Sequence, residues 1–234
     1  MYILAIDTSN QALGVALVKD NEIVGELVTN IAKNHSVRLM PAIEHLMKEV
    51  DVKPEELSKV VVAKGPGSYT GVRIGLTTAK TLAWSLGIPV VGVSSLEVLA
   101  YRAKLSNNLI CPFFDARRGL VYTGLYENNH EKLVLVKEER NTLFADWLDK
   151  LSALSKPIVF LSPDIQKNKE IITEKLGSNA VIPEMTYHIP KPSDLALAAQ
   201  DKEIDETHML TPNYLRLAEA EANWLKTQKD MQNG

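Results

Sequence analysis

The sequence predicts an α/β protein of two subdomains, each built on a mixed β-sheet that is flanked by helices. Three apolar runs of strand length stand at the N-terminus and are separated only by polar turn residues, which indicates an antiparallel meander. Helical and strand patterns then alternate, which favours parallel strands joined by helices. The N-terminal order is therefore βββαβαβα, and a less regular series of the same kind follows a polar stretch at residues 104–108.

The N-terminal elements are bounded by turn residues. A polar cluster at residues 7–10 stops the first strand, and Asp20 and Asn21 form the turn between the second and third. Strands are predicted at residues 2–6, 12–19, 22–28, 60–63 and 89–93, and helices at 36–50, 72–86 and 95–104. Ser94 or Ser95 is the expected N-cap of the last helix.

The C-terminal elements set the subdomain boundaries. Strands are predicted at residues 109–114, 120–126, 132–138, 158–161 and 180–182, and helices at 142–151, 166–176, 193–200 and 214–230. We therefore expect an N-terminal subdomain at 1–104, a smaller α/β subdomain at 105–213 and a C-terminal helix and tail at 214–234.

Composition excludes several classes of protein. The 234 residues carry a net charge of −3, so the whole chain has no strong attraction to nucleic acid or membranes. The single cysteine, Cys111, excludes an intramolecular disulfide and a cysteine-rich zinc site, and it is expected in the core. We see no secretory signal and no apolar run of membrane-spanning length, so a cytoplasmic location is expected.

A glycine-rich segment, GPGSYTGVRIG, occupies residues 65–75, between a predicted strand and a predicted helix. Glycines before a helix either cradle an anion or permit a tight turn and close backbone approach. The spacing matches neither a P-loop nor the dinucleotide fingerprint. We therefore favour a structural role for this motif loop, which consists of Gly65, Pro66, Gly67, Ser68, Tyr69, Thr70 and Gly71.

The turn after the first strand is a candidate nucleotide site. The first strands and helices match half of an actin-like ATPase, in which this turn carries a phosphate-contacting acidic residue; Asp7, Thr8 and Ser9 stand there. The same residues also make a good turn in any protein. The chain lacks the second glycine-rich hairpin that such an ATPase needs, so we expect a remnant site. The alternative is an autonomous actin-like ATPase or phosphotransferase that uses Asp7 and residues 65–71.

Other reactive residues give weaker signals. No two of the five histidines have the spacing that places two metal ligands on one helical face, so no metal site is predicted and surface or capping histidines are expected. Asp115 precedes the basic pair Arg117 and Arg118, and a loop ion pair is favoured over a binding role.

Two predicted N-terminal helices carry unusually little charge. In helix 36–50 an apolar arc of about 160° is wider than one sheet face requires. The opposite side of helix 72–86 carries small hydroxyls and few charges, so another helix can approach it closely. The alternatives are an interface with a partner and burial within the chain itself.

Motifs along most of the chain resemble the TsaB family. They are ILAIDTS at residues 3–9, NHSVRLMP at 34–41, the glycine-rich segment, FDARRGLVY at 114–122 and PNYLR at 212–216. The resemblance implies an actin-like (ribonuclease H-like) fold. It also implies a non-catalytic dimerisation subunit of the machinery that makes threonylcarbamoyladenosine beside the anticodon of tRNA. Members of this family also resemble glycoprotease-type peptidases, but no peptidase centre is predicted in this chain.

The resemblance further implies partners and site residues. A TsaD-type paralogue carries the transferase activity and a TsaE-type P-loop ATPase joins the complex, so ATP and metal are expected on those partners and no cofactor on this chain. The interface implied by family position and helical face consists of Leu39, Met40, Ile43, Met47, Arg73, Thr77, Thr81 and Trp84. Arg117 and Arg118 are weak candidates for tRNA contact, and a homodimer through the same helices is expected when the paralogue is absent.

Overall fold

The protein contains two five-stranded sheets that share one strand order. The structure, a computed structural model, describes residues 1–31, 33–130 and 132–215. The first sheet and its helices comprise β1 (Tyr2–Asp7), β2 (Ala12–Lys19), β3 (Glu22–Asn30), α1 (His35–Glu49), β4 (Leu57–Ala63), α2 (Tyr69–Leu86), β5 (Val90–Val93) and α3 (Ser95–Ala100). The second group comprises β6 (Leu109–Asp115), β7 (Leu120–Asn129), β8 (Lys132–Leu143), α4 (Phe144–Ser152), β9 (Ile158–Leu161), α5 (Ile165–Leu176), β10 (Ala180–Val181) and α6 (Pro192–Ala198).

The strand orders are β3-β2-β1-β4-β5 and, in the opposite direction, β8-β7-β6-β9-β10. In each sheet the first three strands are antiparallel and the last two are parallel to the first. The predicted actin-like class, with two mixed sheets flanked by helices, is therefore confirmed.

Each face of the two sheets is covered by helices. One core lies between the first sheet and helices α1 and α2, and another lies between the second sheet and helices α4 and α5. Helix α3 packs on the inner face of the second sheet and so joins the two halves. Helix α6, in the range expected for the second subdomain, packs on the first sheet through Leu195 and Ala196. The subdomain division itself stays a prediction.

Several predicted helix boundaries are wrong by a few residues. Helix α2 begins at Tyr69 rather than residue 72, because the Ser68 hydroxyl caps it by accepting from Gly71 N at 3.2 Å. Strand β8 continues to Leu143, so the helix predicted from residue 142 begins at Phe144. Helix α3 is capped by Ser94 and ends at residue 100, before a tighter 3-10 turn.

Residues 205–215, which we call the strap, run from the first sheet across α2. Asp205 N donates to Val90 O at 3.0 Å, and Leu210 is buried in the first core. Asn213 N then donates to Lys64 O at 2.7 Å. Nearly all of the helix predicted at residues 214–230 lies outside the described residues.

Across the described ranges, no helix is both long enough and apolar enough to cross a lipid bilayer.

Candidate functional site

The turn between β1 and β2 is closed by helix α2. Asp7, Thr8 and Ser9 are all buried. Thr8 Oγ1 donates to Gly71 O at 2.7 Å, and Ser68 N donates to Ser9 O at 2.7 Å. The first residues of α2 are therefore packed directly against this turn.

The glycines of the motif permit this close approach. A Cβ at Gly67 would lie 2.1 Å from Ser9 O, and one at Gly71 would lie 2.2 Å from Thr8 O. A Cβ at Gly75 would lie 2.6 Å from Thr8 Oγ1. Only Gly65, which precedes the cis peptide bond to Pro66, has a positive φ among these four glycines. The predicted structural role is thus refined: the glycines let the helix touch the turn, and Tyr69, Thr70 and Gly71 belong to the helix rather than to a loop.

Asp7 is held in a desolvated position. Its Oδ1 accepts from Ser9 N at 2.9 Å and from Ser9 Oγ at 2.7 Å, while Oδ2 is buried with no hydrogen-bond partner within the described part of the chain. Burial raises the pKa of the Asp7 carboxyl, and the Ser9 bonds and the charge of His35 oppose that rise. Asp7 is therefore a buried carboxyl whose described hydrogen bonds all come from Ser9.

Helix α2 exposes a face that carries few charged side chains, and Met40 of the neighbouring helix α1 is exposed as well. The indole of Trp84 is 68% exposed, and Met40 is 48% exposed. Arg73, Thr77 and Thr81 are also exposed along α2. Since five of the eight predicted interface residues lie on this face, α1 and α2 present a surface suited to another protein.

The other three predicted interface residues face inward, which corrects their expected role. Leu39, Ile43 and Met47 belong to the core between α1, α2 and the first sheet. The wide apolar arc of α1 arises because β3 and α2 both pack against the helix, in addition to β2. Leu39, Ile43 and Met47 therefore support the face from behind.

A groove lies beside this face. Its volume is about 650 Å³, and it runs between α1 and the segment before β4. Met40, Ile43, Met47 and Leu82 supply apolar walls, while Glu44 and Lys48 stand among the charged residues that line it. The groove can accept an apolar side chain from a partner.

A cluster of two tyrosines and an arginine was not predicted from the sequence. The Tyr69 and Tyr214 rings stack with centroids 5.4 Å apart, and the Arg73 guanidinium lies 3.9 Å from the Tyr69 centroid. Arg73 Nε donates to Tyr214 Oη at 2.6 Å. The separate motifs around Tyr69 and Tyr214 were the only sequence signal, and nothing in their spacing predicts the contact.

The turn between β6 and β7 is open. Arg117 and Arg118 are exposed and have φ values of 66° and 55°. Asp115 Oδ1 accepts from Arg117 N at 2.7 Å, and Asp115 Oδ2 lies 3.9 Å from Lys167 Nζ. The ion pair was expected between Asp115 and the arginine doublet, but the ion pair that the structure describes for Asp115 is with Lys167 of α5. A groove of about 570 Å³ adjoins both arginines.

Cys111 and His188 are both buried. Burial raises the pKa of the Cys111 thiol to about 11, consistent with the predicted core role. His188 is buried rather than at the surface: its Nδ1 accepts from Ser162 N at 3.1 Å and its Nε2 lies 3.0 Å from Pro183 O. Within the described ranges, no group of three acidic, histidine or cysteine side chains is placed to hold a metal ion.

Comparisons with known proteins agree on one family. The family model described as TsaD, tRNA N6-adenosine threonylcarbamoyltransferase, matches residues 22–224. A Bacillus subtilis (strain 168) protein named tRNA threonylcarbamoyladenosine biosynthesis protein TsaB is 52% identical, covering 98% of this chain and 100% of the relative. A Buchnera aphidicola subsp. Schizaphis graminum protein of the same name is 32% identical, covering 71% of this chain and 80% of the relative.

A solved structure from Pseudomonas aeruginosa, described as an uncharacterized protein with similarity to peptidase YeaZ, superposes with a TM-score of 0.78. It is 26% identical, covering 92% of this chain and 99% of that one. The Bacillus subtilis relative is 52% identical over 98% of this chain, and the family model matches residues 22–224. The chain therefore belongs to the TsaB family of tRNA threonylcarbamoyladenosine biosynthesis proteins.

Proposed function

We propose that this chain is a non-catalytic subunit that binds a TsaD-type threonylcarbamoyltransferase and supports the formation of threonylcarbamoyladenosine next to the anticodon of tRNA. The observation that carries the proposal is the exposed face of α2, where Trp84 stands among small hydroxyl side chains, together with the exposed Met40 on the neighbouring helix α1. A solvated helix face normally carries many long charged residues. The match to the TsaD model supports a partner of the same fold, whose equivalent helices can pack against this face.

Three features support a non-catalytic role. The turn that carries Asp7 is closed by α2, and the described residues supply no metal-binding cluster. The only cysteine is buried, with its thiol pKa raised to about 11. ATP and metal accordingly belong, in this proposal, to the TsaD-type subunit and to a TsaE-type P-loop ATPase. Arg117 and Arg118 are the proposed points of contact with tRNA within the complex.

The proposal is tested by placing charge on the exposed face. Thr81→Arg and Met40→Glu are expected to abolish co-elution with the TsaD-type subunit in size-exclusion chromatography, because each buries an unpaired charge in the interface. Both side chains are exposed, so the unfolding temperature should change by no more than about 3 °C. Met47, another predicted interface residue, cannot be used for this test. It is buried in the core, so Met47→Glu would unfold the chain itself.

Matched controls exist on the second subdomain. Thr173→Arg, on an exposed face of α5, is the control for Thr81→Arg. Met185→Glu is the control for Met40→Glu, because Met185 is also 48% exposed. Both controls should bind the partner like the wild type. Normal co-elution of Thr81→Arg and Met40→Glu would remove the proposed interface.

Calorimetry separates this function from the autonomous ATPase. Titration of the isolated chain with ATP and magnesium should give no binding heat, because Asp7 is buried and the turn that carries it packs against the glycine-rich segment through Thr8 and Ser9. Tight binding that Asp7→Ala abolishes would favour the ATPase.

We also propose that the isolated chain forms a homodimer through the same face. Light scattering should give twice the mass of the chain, and Thr81→Arg should reduce it to the monomer mass. A monomeric wild-type chain at high concentration would contradict the homodimer.

A further inference from the structure

Glu139 of β8 connects the two halves of the molecule. Its Oε1 accepts hydrogen bonds from Ser94 Oγ and Tyr126 Oη, and its Oε2 accepts from Asn213 Nδ2 at 3.1 Å. Ser94 is the N-cap of α3, and Tyr126 belongs to β7. One carboxylate thus accepts hydrogen bonds from Ser94 in the first half, from Tyr126 in its own sheet and from Asn213 in the strap.

Two further ionisable groups, Tyr126 and Glu97, lie near Glu139. Burial and the neighbouring Glu139 carboxylate raise the pKa of the Tyr126 phenol well above its ordinary value, so Tyr126 remains a donor at neutral pH. Glu97 faces the same cluster, and its carboxylate is 2.9 Å from Lys202 Nζ. Burial, together with the charge of Glu139, raises the pKa of the Glu97 carboxyl, and Lys202 and Lys64 oppose that rise.

The strap is held on both sides of the hydrogen bond between Asn213 and Glu139. Lys80 Nζ donates to His208 O at 3.1 Å and to Leu210 O at 2.9 Å, so α2 holds the start of the segment. Asn213 N bonds Lys64 O, and the next residue, Tyr214, lies against Tyr69 and Arg73. The Asn213 side chain is therefore the last anchor before the tyrosine that completes the aromatic cluster.

We infer that Glu139 is a positioning residue that acts through Asn213 to hold Tyr214 on α2, and that Tyr214, Arg73 and Tyr69 form part of the partner-binding face. This inference rests on the proposed function. Tyrosine and arginine are the residue types that contribute most to protein interfaces. In this cluster the guanidinium is already immobilised on two rings, which lowers the entropy lost on binding.

The cluster also defines the chemistry of the partner surface. Tyr69 and Tyr214 are both about half exposed, so their edges remain accessible beside Arg73. The bond to Tyr214 uses Nε of Arg73, and among the described residues the two terminal nitrogens have no hydrogen-bond partner, so they can pair with a carboxylate. The partner that fits is a TsaD-type subunit with an acidic side chain opposite Arg73.

An exchange of donor and acceptor tests the positioning role. In Asn213→Asp two carboxylates face each other, so the affinity for the TsaD-type subunit should fall about tenfold or more in a titration calorimeter. In the double variant Glu139→Gln with Asn213→Asp the amide donates to the new carboxylate, and the affinity should return to within about threefold of wild type. An affinity that stays low in the double variant would overturn the inference.

A mutant cycle tests whether Asn213 acts through Tyr214. Tyr214→Ala should weaken binding about tenfold, and Asn213→Asp should then add less than about twofold. Full additivity, or wild-type affinity of Tyr214→Ala, would overturn the inference. If Thr81→Arg abolishes binding while Tyr214→Ala does not, the proposed interface stands and only the inference fails. If Thr81→Arg also binds normally, the proposed function itself fails.

Discussion

The first turns of the two sheets occupy the same place in the fold but have opposite environments. Asp7 ends β1 and Asp115 ends β6, and each carboxylate accepts a hydrogen bond from the backbone N–H two residues later. Asp7 is buried in a turn that packs against α2, whereas Asp115 lies in the lining of an open groove beside α5. Equal topology and equal local bonding thus give one closed and one open turn.

The difference lies in the helix that follows the fourth strand of each sheet. Three glycines face the first turn: Gly67, which lies just before the N-cap of α2, and Gly71 and Gly75 within the helix. Because they have no side chain, the backbone of this segment packs directly against the turn. Helix α5 presents Lys167 and Asn168 to the second groove. Long side chains keep the helix axis away from the turn, whereas glycines let it approach. One turn therefore serves internal packing, and the other keeps its arginines at the surface.

The largest effect is expected from giving the closed turn a side chain. Gly71→Ala would place a Cβ 2.2 Å from Thr8 O and should lower the free energy of unfolding by about 4 kcal/mol or more. Gly119→Ala, in the open turn, meets only Leu143 at 4.0 Å and should cost about 1 kcal/mol for its left-handed φ. Urea denaturation measures both, and equal costs would refute the explanation by close approach.

An intermediate effect is expected from neutralising the two aspartates. The raised pKa of Asp7 means that the folded state binds its proton more tightly than the unfolded chain. The contribution of Asp7 to stability is therefore complete below its unfolded pKa and declines as pH rises through the folded pKa. Asp7→Asn removes this decline, so the free energy of unfolding at pH 8 should be higher than that of the wild type by on the order of 1 kcal/mol.

The matched change at the open turn is Asp115→Asn. Its carboxyl is exposed, so the free energy of unfolding should change by less than about 0.5 kcal/mol. Chemical denaturation between pH 4 and 8 gives both profiles. A steeper loss of stability with rising pH in Asp7→Asn than in wild type would contradict the expected direction of the Asp7 effect.

The smallest effect is expected at the surface of the open turn. Arg117→Glu should weaken tRNA binding by the assembled complex about threefold, without a change in stability. The slope of the logarithm of the binding constant against the logarithm of the salt concentration should fall by about one. Lys156→Glu, which precedes β9 at the opposite end of the sheet, is the matched control. If both variants bind tRNA like wild type, the proposed contact at Arg117 is wrong.

Most elements were predictable from local patterns. The strand at Ala12–Lys19 was predicted to the residue, because polar turns stand at both of its ends. The start of α2 was missed because its first turn contains a glycine, which argues against a helix, whereas the Ser68 cap stabilises one. The inward position of Met47 was missed because a helical wheel shows an apolar arc but not which elements cover it.

The candidate site was predictable only in part. The motifs indicated the family and the helices that carry the exposed face. The strap and its bonds to Glu139 and Arg73 join residues that are far apart in the chain, and no periodicity links such residues.

The sequence by itself determined the order of strands and helices, the family and the absence of a P-loop, because these depend on patterns within short segments. Only the tertiary structure decided that the glycine-rich segment packs on Thr8 and Ser9, and that Tyr214 reaches α2. The physical reason is distance along the chain. Hydrogen bonds of 2.7 Å between residues about 60 apart depend on how the sheet and helix pack, and this is not encoded in either segment alone.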